Sequence, residues 1–209
     1  EGIDPSEYTE VDDITVLGKV GDAIDEYANS AEGKFKLDLN QTFKVGAESN
    51  SYNEVGTVSF GKVNGAFTFT VESMANGTTV EKIEYKNGVQ TVTEGADSES
   101  YSLSEAEAKI IVHQLINTAA YDESYVTNIE KLGEDVYKFT VDEPDISAYE
   151  ESLSPMGITC KSGKQSIVVT FADDKLSKIE SDLTVFGEMT VGSKTEAMEL
   201  KQLTTVTVN

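Results

Sequence analysis

The chain has 209 residues, 38% hydrophobic and 26% charged, which suits one folded domain with its own core and excludes a disordered or fibrous chain. Its 38 acidic residues outweigh 16 basic ones for a net charge of −22, and every basic residue is Lys, so no guanidinium fork is present to grip phosphate or carboxylate. Such a surface repels nucleic acid and anionic membrane alike, and neither is expected as a partner.

In chain order, residues 1–12 are polar and expected to be extended. The opening "EGIDPSEYTE" lacks an initiator Met, so this segment is expected to follow a removed signal or lipid-anchor region, with the domain running over residues 1–209. Membrane contact would then come only through that anchor, and a monomer is the expected state. No apolar run reaches the roughly 20 residues of a membrane-spanning helix. Residues 13–30 place Leu17, Val20, Ile24 and Tyr27 at helical spacing, and one amphipathic helix is predicted despite Gly18 and Gly21.

The period then changes to two. In "KFKLDLNQTFKV", Phe35, Leu37, Leu39, Phe43 and Val45 share one face, broken only by Gln41, while Lys34, Lys36, Asp38, Asn40, Thr42 and Lys44 take the other. This is a strand of an antiparallel sheet with one wet face. Asn-Gly pairs at 64–65, 76–77 and 87–88 predict type I′ turns, whose twist suits the strands they join. Between them lie Phe67, Phe69 and Val71, then Val80 to Tyr85, then Val89 to Thr93, which together read as a β-meander.

The stretch Gly56 to Lys62 fits the phosphate-loop pattern G-x-x-x-x-G-K, with Val63 where a hydroxyl residue belongs. A phosphate loop needs a helix immediately after it. Here an Asn-Gly turn and another strand follow, so the match is accidental and no nucleotide is expected.

Ser104 and Glu107 form a capping-box pattern before "EAEAKIIVHQLINTAA", with Ala108, Ile111, Val112, Leu115 and Ala119 as the inward stripe. A Tyr-containing connection from Tyr121 to Tyr125 leads to a hairpin turning at Gly133-Glu134-Asp135. A short helix follows Pro144, with Ile146, Tyr149 and Leu153 inward, and stops at Pro155 and Gly157. "SIVVTF" then pairs through Ala172 to Lys175 with "LSKIESDLTVFGEMTV", where Ile179, Leu183 and Val185 alternate with Glu180, Asp182 and Thr184. The last strand carries Met198, Leu200, Val206 and Val208 in one register.

A leading helix, antiparallel strands, central helices and closing strands resemble the LolA-like superfamily of lipoprotein carriers, mycobacterial lipid-carrier lipoproteins and related Gram-positive lipoproteins. "DAIDEYANSAEGKFKLDL", "SLSEAEAKIIVHQL" and "VVTFADDKLSKIESDLTV" carry the resemblance, through element order and apolar pattern. It implies an α+β fold: a curved antiparallel sheet, an unclosed half-barrel, with about three helices packed on its concave face. It further implies an extracytoplasmic lipoprotein that holds an acyl or other hydrophobic ligand. Leu37, Leu39, Phe67 and Phe69 would then line the cavity with Ile111, Val112 and Leu115 from the helix above and Val169, Phe171 and Val185 opposite. The same periodicity also fits a solid core. The lipoprotein carriers use an Arg inside the cavity to control release; this chain has none, so the resemblance implies passive holding.

No catalytic constellation, metal site or cofactor is expected. His113, the only His, falls about 140° from Ala108 on the helix, off the apolar stripe. No G-x-S-x-G elbow accompanies it, and Ser59 to Lys62 matches S-x-x-K only within a strand. The acidic pairs Asp12-Asp13, Glu150-Glu151 and Asp173-Asp174 sit in polar turns and helix faces rather than in a calcium loop, and the chain has no Trp for a sugar platform. Cys160 stands alone, which excludes an internal disulfide, and reads as a small strand residue. The alternative to a ligand carrier is a cell-surface structural or interaction module with a filled core, its partner surface around Tyr121 and Tyr125.

Overall fold

The structure, a computed structural model, describes residues 7–12, 14–119 and 122–208; the expectations at Asp13 and Tyr121 lie outside the described residues. Long alternating segments closed by tight turns build one open antiparallel sheet of twelve strands, with two edges that do not meet.

The first meander comprises β2 (Gly33–Val45), β3 (Glu48–Val63), β4 (Ala66–Ala75), β5 (Thr78–Lys86), β6 (Val89–Glu94) and β7 (Asp97–Ser102). The second comprises β8 (Asn128–Leu132), β9 (Val136–Val141), β10 (Ile158–Ala172), β11 (Lys175–Val191) and β12 (Lys194–Val208), with the short β1 (Thr9–Glu10) on its outer edge. The last strand joins the two halves: β12 pairs with β2 from Met198 opposite Val45 to Val208 opposite Phe35. The Asn-Gly turns form as their chemistry requires, with positive φ at both residues of each pair. The phosphate-loop look-alike lies within β3 and runs straight into one of these turns.

Among the described residues three α-helices accompany the sheet. Helix α1 (Thr15–Ala28) buries Val16, Leu17, Val20 and Ile24. Helix α2 (Glu105–Ile116) starts on a complete capping box: the Ser104 amide donates to Glu107 Oε2 at 2.8 Å, and the Glu107 amide donates to Ser104 Oγ at 3.3 Å. Its buried stripe runs Ala108, Val112, Ile116 and on to Ala119, while Ile111 and Leu115 are half-buried at its edge. Helix α3 (Ser147–Leu153) ends in a 3-10 turn that Pro155 and a left-handed Gly157 close.

The helices cover one face of the sheet, and the apolar residues form two clusters there. The larger joins α1 and α2 to Phe35, Val58, Phe60, Phe67, Phe69, Val71 and Tyr85 on one side and to Phe139, Ile167, Val169, Phe171 and Ile179 on the other. Phe69 and Tyr85 stack at 5.6 Å, and Phe67 lies 6.5 Å from Phe69 and from Phe60. The smaller cluster is Ile158, Cys160, Leu183, Val185, Met198 and Leu200, with Ile146, Tyr149 and Leu153 packed on it from α3 and the residue before it. The opposite sheet face carries same-strand ion pairs two residues apart, at Lys36–Asp38, Lys82–Glu84 and Lys178–Glu180.

Candidate functional site

The two clusters do not merge, because the apolar alternation breaks at aligned positions. On β12 the covered face reads Met198, Leu200, Gln202, Thr204, Val206, Val208. The β2–β12 register sets Gln202 opposite Gln41 and Thr204 opposite Leu39. On β11, Ser181 stands opposite Thr204 and Leu183 opposite Gln202. On β10, Gln165 stands opposite Leu183, and β9 adds Val141 beside it. A band of amides and hydroxyls therefore crosses the covered face between two apolar regions.

These groups bond to one another. Tyr149 Oη donates to Gln202 Oε1 at 3.2 Å and Gln41 Nε2 donates to the same oxygen at 3.4 Å. Gln202 Nε2 donates to Thr204 Oγ1 at 3.4 Å, and Gln165 Nε2 donates to Ser181 Oγ at 2.9 Å. Ser181 and Thr204 are buried polar residues, each kept by a partner as burial demands. Burial pushes the Tyr149 phenol up, partly offset by its bond to Gln202.

Above this floor opens a pocket of about 490 Å³. Gln165, Ser181, Leu183, Gln202 and Thr204 form the floor, and Thr118, Asp122, Tyr125, Val141, Pro144, Asp145 and Tyr149 form the walls and rim. Both rim carboxylates are held below the usual aspartate range. Asp122 accepts from the Ser124 hydroxyl and amide, with the Asp145 charge opposing, and Asp145 accepts from the Ser147 amide. None of the lining residues is cationic. A second pocket of about 440 Å³ lies on the same face at the far end of the smaller cluster, lined by Phe43, Val45, Met189 and Val191 with Glu48, Asn50, Lys194 and Glu196. Leu183 and Met189 are six residue steps apart on β11, about 20 Å of strand, and α3 lies over the span between the two pockets. The inward residues Tyr149 and Leu153 of α3, and Ile146 just before it, are only half-buried. Gly163 lets this segment lie close: a Cβ there would stand 2.9 Å from both Pro144 Cγ and Ile146 Cγ2.

The residues expected to line a cavity are divided by this arrangement. Phe67, Phe69, Val112, Val169 and Phe171 are buried in the larger cluster, with Leu37, Ile111 and Leu115 packed against it. Val185 is buried in the smaller cluster beneath α3, two residues along from Leu183. Leu39, half-buried, stands opposite Thr204 at the border between clusters. None of these residues lines the larger pocket. The polar band itself was not singled out by the sequence, although its signal was there: Gln41 interrupts an otherwise apolar face, as do Gln202 with Thr204 and Ser181.

Elsewhere, His113 is half-exposed, with Nε2 2.6 Å from Asp25 Oδ1 of α1, and bridges the two long helices. Cys160 is buried and free; burial, with the Glu150 charge adding to it, pushes its thiol up. Among the described residues no group of three His, Cys, Asp or Glu side chains is disposed to hold a metal ion. Among the described residues no helix is long and apolar enough to cross a membrane.

The fold and pocket define an open antiparallel sheet with one helix-covered face and a recess on that face. No family model matches the sequence, and no curated protein matches it. Solved structures align over nearly the whole chain. LppX, a lipoprotein of Mycobacterium tuberculosis, is 15% identical, with 94% of each chain covered and a TM-score of 0.42. A putative outer membrane lipoprotein-sorting protein domain of Vibrio parahaemolyticus is 12% identical, covering 94% of this chain and 92% of its own, with a TM-score of 0.30. A DUF1329 family protein of Desulfovibrio piger is 9% identical, covering 95% and 92%, also with a TM-score of 0.30. The likeness is one of fold.

Proposed function

We propose that this protein is a non-enzymatic, extracytoplasmic binding protein that holds an amphiphilic ligand on the helix-covered, concave side of a half-barrel formed by one domain. The observation that carries the reading is the pair of pockets on one sheet face, with the apolar residues of the smaller cluster between them and the short α3 packed on those residues. The polar part of the ligand sits over Gln165, Ser181 and Gln202, and its apolar part lies beneath α3 against Leu183, Val185 and Leu200. Leu39 flanks this path at the border between the clusters, and the other residues expected to line a cavity, Val185 aside, belong to the larger cluster beyond the polar band. Burial of the apolar part supplies the affinity, at about 25 cal/mol per Å² before ordering costs.

The location outside the cytoplasm comes from the resemblance in element order to lipoprotein carriers. In this reading no side chain forms or breaks a covalent bond. A native mass spectrum of protein purified gently from its own host, taken before and after organic extraction, tests the reading. An adduct of lipid mass that extraction removes, and that Val185→Glu lowers in a still-folded protein, is the expected result. A folded protein that carries nothing and takes up no added amphiphile refutes it, and the interaction-module alternative then leads.

A further inference from the structure

From the chemistry of the pocket floor we infer that the polar part of the ligand is an uncharged, hydroxyl-bearing group, such as a sugar or polyol head, and not a phosphate, carboxylate or ammonium. This rests on the binding reading above and adds the head-group class to it.

The floor is neutral throughout. Its four amide and phenol bonds end on neutral acceptors, namely Gln202 Oε1, Thr204 Oγ1 and Ser181 Oγ. These bonds leave the Gln165 carbonyl oxygen as an acceptor and the Ser181 and Thr204 hydroxyl hydrogens as donors. A hydroxyl both donates and accepts, so a group carrying several of them satisfies such a mixed surface, whereas an ion satisfies only half of it.

An anion meets no positive partner there. The lining holds no Lys, the chain has no Arg, and the one His is engaged with Asp25 between the long helices. Asp122 and Asp145 guard the entrance, within a net charge of −22. A cation is attracted to the rim, where Asp122 and Asp145 each accept a backbone amide through Oδ1 at 2.9 Å and keep their charge, but the floor offers it nothing comparable. At the floor, where Ser181 is 5% and Thr204 3% exposed, a cation is desolvated without a counter-charge. Tyr125 and Tyr149 add aromatic surface on which a sugar ring can rest.

The test uses the whole chain and three amphiphiles that share one tail: dodecyl maltoside, dodecyl phosphate and dodecyltrimethylammonium, each below its micelle concentration and followed by titration calorimetry. Maltoside is expected to bind at least about 10-fold tighter than the phosphate, whose exclusion by like charge relaxes with added salt. Gln165→Ala and Ser181→Ala are each expected to weaken maltoside about 3- to 10-fold and to leave dodecanol binding unchanged, a readout that misfolding would not give. Equal binding of phosphate, or tighter binding of ammonium, overturns the head-group inference and leaves the carrier reading standing. Failure of all the dodecyl compounds to bind overturns the carrier reading itself.

Discussion

Replacing Ile116 by Ala tests the rotation of α2 against the sheet, on which the larger cluster depends. Ile116 is fully buried, whereas Ile110 on the same helix is 55% exposed. Removing three buried carbons forfeits about 2.4 kcal/mol of transfer free energy at ~0.8 kcal/mol each. The cavity left behind brings the expected loss to about 3 kcal/mol. For a chain of this size each kcal/mol lowers Tm by about 2–4 °C, so Ile116→Ala should fall by roughly 6–12 °C. Ile110→Ala should stay within about 0.5 kcal/mol of the parent. Thermal melts followed by circular dichroism, with urea titrations alongside, give both numbers. Equal losses for the two variants, or the larger loss at Ile110, would refute the packing described for α2.

Further outcomes follow from other sites. Glu81 faces the covered side with Glu54 and Glu94 near it, and burial first, then those charges, raise its carboxyl above the ordinary 4.5. A raised folded-state value means that ionisation burdens the folded protein. Glu81→Gln should therefore raise the urea midpoint at pH 7, and the gain should vanish as pH falls below 4.5, where both states hold the proton. Gly163→Ala should cost about 1–3 kcal/mol and speed amide exchange in α3, because the new Cβ displaces Pro144 and Ile146. Cys160 should resist an aromatic disulfide reagent in the folded protein and react fully once unfolded, since it is buried and its thiol is pushed up.

Much of the architecture was legible because local chemistry dictates it. Each Asn-Gly pair supplies positive φ where a two-residue turn needs it, and Ser104 with Glu107 marks the start of α2 with two reciprocal bonds. Gly157 ends the α3 region because its left-handed conformation suits glycine. Other features depend on contacts that no short window contains. The first half of β3, Glu48 to Glu54, is polar on both faces and is held as strand by its pairing with β2. β7 is exposed along its whole length and carries no apolar alternation. β10 starts at Ile158, well before the apolar run of "SIVVTF", because β11 pairs with that stretch across a bulge near Cys160.

The inward stripe of α2 was read with Ala108, Val112 and Ala119 in place but without Ile116, for a similar reason. Ile111 and Leu115 match helical spacing as well as Ile116 does, and only the neighbouring α1 and sheet decide which are fully buried. The candidate site was the least legible part. Gln41, Gln165, Ser181, Gln202 and Thr204 come from four strands, and the non-sequential pairing of β12 with β2 brings the first of them to the rest. Each is a minor interruption in its own strand, and the site is their alignment.

The most direct test of the account is a photo-crosslink. A fatty alcohol glycoside carrying a diazirine in its tail is bound to the whole protein, irradiated, and the labelled peptides are mapped by mass spectrometry. The account predicts labels within residues 146–153 of α3 and its entry, and on the strand segments around Leu183, Val185 and Leu200. Labels confined to the opposite sheet face, around the Lys36–Asp38 and Lys178–Glu180 pairs, or spread evenly over the chain, would contradict it.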